Sequence, residues 1–354
     1  MRHLELFAGI GGFRMAMEHL QLDGIMEFQN IAFSEIDKHA TITYKANFDT
    51  THEIEIGDIV EFTKDKERIN NLPDFDILTG GFPCQSFSLM GFQKGFEDER
   101  GQLFFRIMDI VKIKHPKYLL LENVKNLFTH NKGETLKCIV QALRSEGYVV
   151  KYDIFDTADF MLPQTRKRII IFATQSDNAD FEFSAEVVKE CFNERRNGMS
   201  IRQVTNVLGI LDKTVPDKYL LSEKIKPTIL SDGSANFKSK SEINKLIARP
   251  LTATMHKMHR ACQDNYYSID FIQSDGKINP ALTMTKEELA KIAIRKLTPK
   301  EALMIQGFPE DFAPNAQNAG ICDGALYKQA GNAVSVNTIY AVLYYLITNN
   351  IIHN

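Results

Sequence analysis

The chain has 354 residues, of which 44% are hydrophobic and 25% are charged, and its formal net charge is −3. This composition excludes a disordered chain and allows one large core with a second, smaller domain, and no apolar run reaches the roughly 18 residues of a membrane span. The five cysteines are widely spaced without a CxxC pair, and the first residues lack the pattern of a signal peptide, so we expect free thiols and a cytoplasmic protein.

The first half of the chain alternates short apolar runs with amphipathic stretches, which is typical of an α/β fold with a mostly parallel sheet. The predicted strands are 3–7, 29–34, 75–79, 118–121, 149–155 and 168–173, and the predicted helices are 12–20, 38–47, 102–114 and 133–146. Beyond residue 174 the pattern becomes irregular and polar, until helical periodicity returns at Thr298 and a last apolar helix is predicted at 336–347. We therefore predict a first domain of residues 1–183 with 320–354, and a second of residues 184–319.

A glycine-rich turn, with Gly9 and Gly11, follows the first predicted strand in the segment LFAGIGG. Glycines allow a tight turn and a close approach of the backbone to a ligand. Glu35 lies 26 residues after Gly9, close to the offset of about 20 residues at which an acidic side chain meets ribose hydroxyls. Asp58 follows a further candidate strand and is suited to accept a hydrogen bond from an adenine amino group. Either carboxylate alone is as well explained by a helix N-cap, but together they predict an adenosine pocket.

A candidate nucleophile, Cys84, lies in a loop bounded by Gly80, Gly81 and Pro83, just after a predicted strand. A loop position keeps the sulfur reachable, as a nucleophile requires, whereas the other four cysteines fit ordinary structural roles. A pyrimidine ring accepts a thiolate only when it is protonated, and Glu122 at the end of an apolar strand is the candidate acid. A helix-capping turn is the alternative for Glu122.

Two arginines, Arg166 and Arg168, stand in the segment QTRKR on one side of an extended stretch, where they suit a phosphate or a substrate carbonyl. With them, the order of the segments resembles that of the DNA cytosine-5 methyltransferases of bacterial restriction–modification systems. The matching segments, from residue 4 to about 336, are LFAGIGGF, the strand end at Glu35, GDI, GGFPCQSFS, LENV, QTRKR, RKLTPKEALMIQGFP and QAGNAVSV.

The resemblance implies a covalent mechanism on a base flipped out of the duplex. Cys84 matches the nucleophile that adds to carbon 6 of cytosine, Glu122 matches the residue that protonates ring nitrogen 3, and Asn123 matches the residue that supports the loop. Arg168 matches the group that holds the base and the nucleophile loop, while Arg166 is expected nearer the loop and phosphates. Carbon 5 takes the methyl group of S-adenosylmethionine, leaving S-adenosylhomocysteine, and loss of its proton expels Cys84.

The resemblance also implies a Rossmann-like methyltransferase sheet that binds S-adenosylmethionine and needs no metal. The residues that match cofactor contacts are Phe7, Gly9, Gly11, Glu35, Ile36, Asp58, Ile59, Pro83, Asn332 and Val334. His256, His259 and Cys262 offer only three closely spaced ligands, so ordinary core and surface roles are favoured over a zinc site.

A basic segment is the predicted target-recognition region. Residues 186–260 contain 14 Lys and Arg against 8 Asp and Glu, which suits a polyanion, with a solvated basic face as the alternative. In the family the corresponding part is a smaller, irregular, mostly-β domain that reads double-stranded DNA, and RPLTAT from Arg249 resembles the motif that organises it. The predicted DNA contacts are Ser86, Gln164, Lys238, Lys240, Lys245 and Arg249.

Other classes of protein fit the sequence less well. A tRNA cytosine-5 methyltransferase on the same fold is the nearest alternative, but it predicts a shorter recognition segment and a different nucleophile loop. A nicotinamide oxidoreductase needs GxGxxG, and a non-catalytic DNA-binding regulator has no use for a loop cysteine paired with an acid. We expect a monomer without membrane contact, paired in function with a cognate restriction endonuclease.

Overall fold

The computed structural model describes residues 1–83, 103–175, 180–195, 197–234 and 237–353. The chain forms two compact units. The first comprises Met1–Asp156, Lys167–Ile201 and Thr338–Asn354, and the second comprises Thr157–Arg166 and Arg202–Asn337. The functional domains at 1–183 with 320–354 and at 184–319 stay a prediction.

A seven-stranded sheet forms the centre of the first unit. Its strands are β1 (Arg2–Leu6), β2 (Gln29–Ser34), β3 (Ile54–Glu55), β4 (Ile77–Gly81), β5 (Tyr118–Val124), β6 (Val149–Asp156) and β7 (Lys167–Thr174), in the order β3-β2-β1-β4-β5-β7-β6. β7 pairs antiparallel with both β5 and β6, and the pairs from β3 to β5 are parallel. The six predicted strands are confirmed, and the largest difference is at the end of β5, predicted at 121 and found at Val124.

Helices accompany these strands in the first unit. They are α1 (Gly12–Leu22), α2 (Lys38–Asn47), α3 (Ile59–Thr63), α4 (Lys66–Asn70), α5 (Leu103–Lys114), α6 (Glu134–Ser145), α7 (Ala185–Glu194) and α14 (Val336–Thr348), which begins in the second unit. Asp37 explains the start of α2, because its side chain accepts hydrogen bonds from the backbone of His39 and Ala40. The interior strand β5 is buried on successive residues, as a sheet covered on both faces requires.

The second unit is irregular. Its described strands are β8 (Gly233–Ser234), β9 (Phe237–Lys238), β10 (Tyr266–Ser268) and β11 (Ile294–Lys296), and its helices are α8 (Lys226–Leu230), α9 (Ile269–Gln273), α10 (Lys286–Leu289), α11 (Pro299–Ile305), α12 (Phe312–Asn318) and α13 (Asp323–Asn332). The strands form two antiparallel pairs. Each of these strands has only two or three residues, so the described part of this unit contains less β-structure than a mostly-β domain would. α11 starts as predicted, with Thr298 and Glu301 in a capping box.

Within the described residues, one helical stretch, Asp323–Thr348, is apolar enough to cross a membrane by length and composition. Residues 333–335 interrupt it, which leaves 10 residues in α13 and 13 in α14. Each helix is shorter than the roughly 20 residues that a bilayer requires. Moreover, 89% of the apolar window is buried in the protein, as in helices that pack within a core.

Candidate active site

The glycine turn after β1 has a left-handed backbone at three positions. The φ angles are 53° at Phe7, 56° at Gly9 and 83° at Gly11, and this region strongly favours glycine. A Cβ added to Gly11 would lie 2.9 Å from Cε2 of Tyr44, closer than packed atoms tolerate. The shape of the turn therefore depends on glycine at positions 9 and 11.

Glu35, at the end of β2, is bonded to this turn. Its Oε2 accepts a hydrogen bond from the backbone N–H of Gly9 at 2.7 Å, and its Oε1 accepts one from the backbone N–H of Asp37 at 2.7 Å. An ionised carboxylate has about four acceptor sites, so Glu35 retains capacity for ribose hydroxyls. The neighbouring Ile36 is 71% exposed and offers an apolar surface next to that carboxylate.

Asp58 is the N-cap of α3, because its Oδ1 accepts a hydrogen bond from the backbone N–H of Val60 at 2.8 Å. Asp58 therefore has the capping role that was the alternative to a cofactor contact. The side chain is also partly exposed, so it can accept a further hydrogen bond from an adenine amino group. The Ile59 side chain is buried, so a cofactor contact by this residue would use its backbone. Pro83 is exposed at the end of the described part of its loop.

Glu122 and Arg168 form an ion pair in the first unit. Arg168 Nε lies 3.0 Å from Glu122 Oε1, and the two side chains are 21% and 12% exposed. The antiparallel register of β5 and β7 pairs Val124 with Arg168, which brings the guanidinium to the end of β5. The structure therefore brings the predicted acid and one predicted arginine together.

Asn123 links the end of β5 to the loop that follows β4. It is 2% exposed, and its Nδ2 donates a hydrogen bond to the backbone carbonyl of Phe82 at 2.6 Å. The parallel register of these strands pairs Gly81 with Glu122. Cys84 and Ser86 lie outside the described residues, so the structure places the candidate acid beside the start of the nucleophile segment and no further.

Arg166 belongs to the second unit and is 2% exposed. Its guanidinium donates to three backbone carbonyls, those of Leu251 at 3.1 Å, Gly331 at 3.0 Å and Ala333 at 2.9 Å. Two of these carbonyls flank Asn332. The placement argues against the predicted phosphate contact, because the donors are turned inward. It makes Arg166 a group that holds the backbone around Asn332.

Gln164 is fully buried in the same unit. Its Nε2 donates to Oε1 of Gln306 at 3.2 Å, and its Oε1 accepts from the backbone N–H of Leu251 at 2.9 Å. This placement argues against the predicted DNA contact, since both ends of the amide form hydrogen bonds inside the protein.

The second unit also contains two residues predicted to contact the cofactor. Asn332 is exposed, and Val334 is 8% exposed.

Glu242 forms ion pairs with three of the four basic side chains predicted to contact DNA. Its carboxylate lies 2.6 Å from Lys240 Nζ, 3.4 Å from Lys245 Nζ and 3.7 Å from Arg249 Nη2. Arg249 also donates to the Glu242 carbonyl at 3.1 Å and is 13% exposed, so it organises this segment from within. Lys240, Lys245 and Lys238 are exposed or partly exposed, as phosphate contacts require.

The sequence interpretation missed a buried charge network behind the glycine turn. It comprises Arg14, Glu5, Tyr44 and Glu53, and Arg14 Nη1 donates to Glu53 Oε1 at 2.6 Å. Burial raises the pKa of Glu5 to about 8. Arginine within the otherwise apolar start of α1 was the signal for a buried ion pair. In the part of the chain that the structure describes, no group of three or more His, Cys, Asp or Glu is placed to hold a metal ion.

Comparisons with solved structures show the fold. The crystal structure of the S. pombe Dnmt2 methyltransferase has a TM-score of 0.75 at 19% identity, with 100% of each chain covered. The Entamoeba histolytica methyltransferase EhMeth has a TM-score of 0.74 at 21% identity, covering 100% of this chain and 99% of the other. These similarities confirm the predicted Rossmann-like methyltransferase fold.

Comparisons of sequence show the family. The type II methyltransferase M1.ScrFI of Lactococcus lactis subsp. cremoris is 38% identical over 344 residues, 96% of this chain and 76% of the relative. M.Bsp6I of Bacillus sp. (strain RFL6), also a type II methyltransferase, is 34% identical over 342 residues, 94% of each chain. The model of the family described as C-5 cytosine-specific DNA methylase matches residues 1–348. The chain therefore belongs to the C-5 cytosine-specific DNA methylase family.

Proposed function

We propose that this C-5 cytosine DNA methyltransferase modifies a flipped-out cytosine within a specific duplex sequence, as the modification enzyme of a type II restriction–modification system. The observation that carries the proposal is the position of Glu122, beside Arg168 and next to the strand that leads to Cys84. The relatives named as type II methyltransferases support the role in restriction and modification. We further propose that the enzyme acts as a cytoplasmic monomer, with a cognate endonuclease as its partner in function.

The glycine turn and its neighbours fit S-adenosylmethionine. Glu35 supplies a carboxylate beside the turn, Ile36 supplies an exposed apolar surface, and the left-handed backbone at Gly9 and Gly11 excludes side chains that would fill the space. Asp58 supplies a second carboxylate, at the end of the short segment that connects β3 to α3. When bound, S-adenosylmethionine supplies an electrophilic methyl group.

The residues of the chain then perform nucleophilic addition and proton transfer. The Cys84 thiolate forms a bond to carbon 6 of cytosine and pushes ring electrons toward nitrogen 3. Nitrogen 3 takes a proton from Glu122 at the same time, which neutralises the charge that would otherwise build up there. Carbon 5 becomes nucleophilic and takes the methyl group. Water or a side chain acting as a base then takes the carbon 5 proton, and the electrons of that C–H bond re-form the double bond to carbon 6 and expel Cys84 as a thiolate. Nitrogen 3 returns its proton to Glu122, which restores both the ring and the acid. Arg168 holds the Glu122 carboxyl in place through the 3.0 Å contact, while Asn123 fixes the backbone at Phe82 two residues before the nucleophile.

Glu122→Gln is expected to lower kcat for DNA methylation by about a hundredfold, because an amide cannot give a proton to the ring nitrogen. Binding of S-adenosylmethionine is expected to persist, since the cofactor residues are unchanged. Single-turnover methylation with radiolabelled S-adenosylmethionine measures the loss. Glu61→Gln is the matched control, because Glu61 is a 62% exposed partner of Lys64 and its change is expected to leave kcat unaltered. Equal effects of the two variants would contradict the role of Glu122.

The substrate is tested by transfer of tritiated methyl groups to duplex DNA and, in parallel, to tRNA. We expect label on carbon 5 of cytosine in DNA, at one repeated sequence, and none on tRNA. DNA from cells that express the enzyme should resist the endonuclease that cuts that sequence. Labelling of tRNA alone would replace this proposal with a tRNA methyltransferase.

A further inference from the structure

The glycine turn rests on two aromatic rings of α2 and the residue after it. A Cβ at Gly11 would lie 2.9 Å from Cε2 of Tyr44 and 3.0 Å from Cζ of Phe48, so the two rings occupy the space that a side chain at position 11 would need. The side chain of Tyr44 is buried and stacks on Phe33 with ring centroids 4.5 Å apart. Any shift of the Tyr44 ring therefore changes the space that the turn occupies.

The Tyr44 hydroxyl is fixed from both sides. It donates a hydrogen bond to Oε2 of Glu5 in β1 at 3.1 Å, and it accepts one from Nη1 of Arg14 in α1 at 3.4 Å. The turn that carries Gly9 and Gly11 connects β1 to α1. The Tyr44 hydroxyl thus joins the two elements between which the glycine turn lies.

Arg14 is anchored by other parts of the first unit. Its Nη2 donates to the backbone carbonyl of Asp49 at 2.8 Å, its Nε lies 3.1 Å from Glu18 Oε1, and its guanidinium lies 4.5 Å from the ring centroid of Phe48. With Glu53 at 2.6 Å, the single cation has two carboxylate partners. These contacts leave Arg14 little freedom to follow a displaced turn.

In the part of the chain that the structure describes, Glu5 forms no ion pair with a cation. Among the described residues its Oε1 has no hydrogen-bond partner, and the side chain is 1% exposed. Burial raises the pKa of Glu5 to about 8 against the opposing effect of Arg14, so near neutral pH the carboxyl is protonated. A neutral carboxyl accepts the Tyr44 hydrogen bond without placing a second uncompensated charge in the core.

We propose that Tyr44 is a positioning residue for S-adenosylmethionine, which sets the glycine turn through its ring against Gly11 and its hydroxyl bonds to Glu5 and Arg14. This inference rests on the proposed use of the glycine turn as the cofactor site. Neither Tyr44 nor its partners need touch the cofactor. They act on cofactor binding through the position of the glycine turn relative to Glu35, which accepts a hydrogen bond from the backbone N–H of Gly9.

Tyr44→Phe tests the proposal, because it keeps the ring and removes only the hydroxyl. We expect the Kd and KM for S-adenosylmethionine to rise about fivefold, the factor that corresponds to one hydrogen bond of about 1 kcal/mol, with kcat within about twofold of wild type. Tyr148→Phe is the matched control: Tyr148 is buried in the same unit, and its hydroxyl donates to the Pro116 carbonyl at 2.6 Å. We expect Tyr148→Phe to leave Kd and KM unchanged.

Two substitutions of Glu5 complete the test. Glu5→Gln keeps a neutral group with an acceptor oxygen and is expected to retain wild-type affinity near pH 7, whereas Glu5→Ala is expected to weaken binding as Tyr44→Phe does. Calorimetry with S-adenosylmethionine and no DNA gives Kd, and thermal unfolding confirms that each variant is folded. An unchanged Kd in folded Tyr44→Phe, or an equal change in Tyr148→Phe, would overturn the proposal. Wild type that binds no S-adenosylmethionine would instead overturn the proposed function.

Discussion

Cys84→Ser is expected to abolish methyl transfer to DNA, with turnover lowered by a factor on the order of 10⁴ or more. The thiolate is the attacking species in cysteine chemistry, and a serine hydroxyl does not ionise near neutral pH. The substitution changes one atom, so binding of S-adenosylmethionine and DNA is expected to continue. Tritiated methyl transfer measures the loss.

A duplex that carries 5-fluorocytosine provides a second readout for Cys84. Fluorine at carbon 5 leaves no proton to lose, so in the presence of S-adenosylmethionine an enzyme that has added its sulfur to carbon 6 and methylated carbon 5 stays attached to the DNA. Wild type is expected to form this adduct and Cys84→Ser is not. Cys138→Ser, in α6 and partly exposed, is the control and should behave as wild type. An adduct with Cys84→Ser would show that another side chain is the nucleophile.

The regular part of the fold was predictable because it depends on local periodicity. The bounds of β2 and α2 coincide with the predicted ones, since β2 is a short apolar run and α2 begins directly after its N-cap, Asp37. The candidate carboxylates were predicted for a related reason: Glu35 directly follows β2 and Glu122 lies near the end of β5, and strand ends are the places where a parallel sheet meets its ligands. The distance from each of these two carboxylates to a bound ligand depends on the tertiary fold, so it could not be predicted from the local sequence.

The roles of Arg166 and Gln164 could not be read from their own segment. The alternate positions of Arg166 and Arg168 suggested one shared face, yet Arg168 pairs with Glu122 in the first unit while Arg166 is buried in the second. The carbonyls that bind Arg166 come from positions 251, 331 and 333. Only the tertiary fold brings such distant backbone groups together, and a buried guanidinium needs them to offset its desolvation.

Gly331→Ala is expected to destabilise the second unit by about 3 kcal/mol, the upper range for overpacking. Gly331 lies in α13, where helix propensity alone would make alanine more stable by roughly 1 kcal/mol. A Cβ there would stand closer than 3.0 Å to backbone atoms of Thr252 and Ala253, and backbone atoms cannot rotate away as a side chain does. The carbonyl of Gly331 also accepts from Arg166, so displacement of the helix weakens that hydrogen bond as well.

Gly324→Ala separates the steric effect from helix propensity. Gly324 lies in the same helix, and none of the described residues comes within 4 Å of a Cβ placed there, so this variant is expected to be as stable as wild type or slightly more. Thermal and urea unfolding of the two variants measure the difference. A Gly331→Ala protein as stable as the Gly324→Ala protein would mean that α13 can move away from residues 252 and 253. The backbone around Asn332 would then be less tightly held than the Arg166 hydrogen bonds indicate.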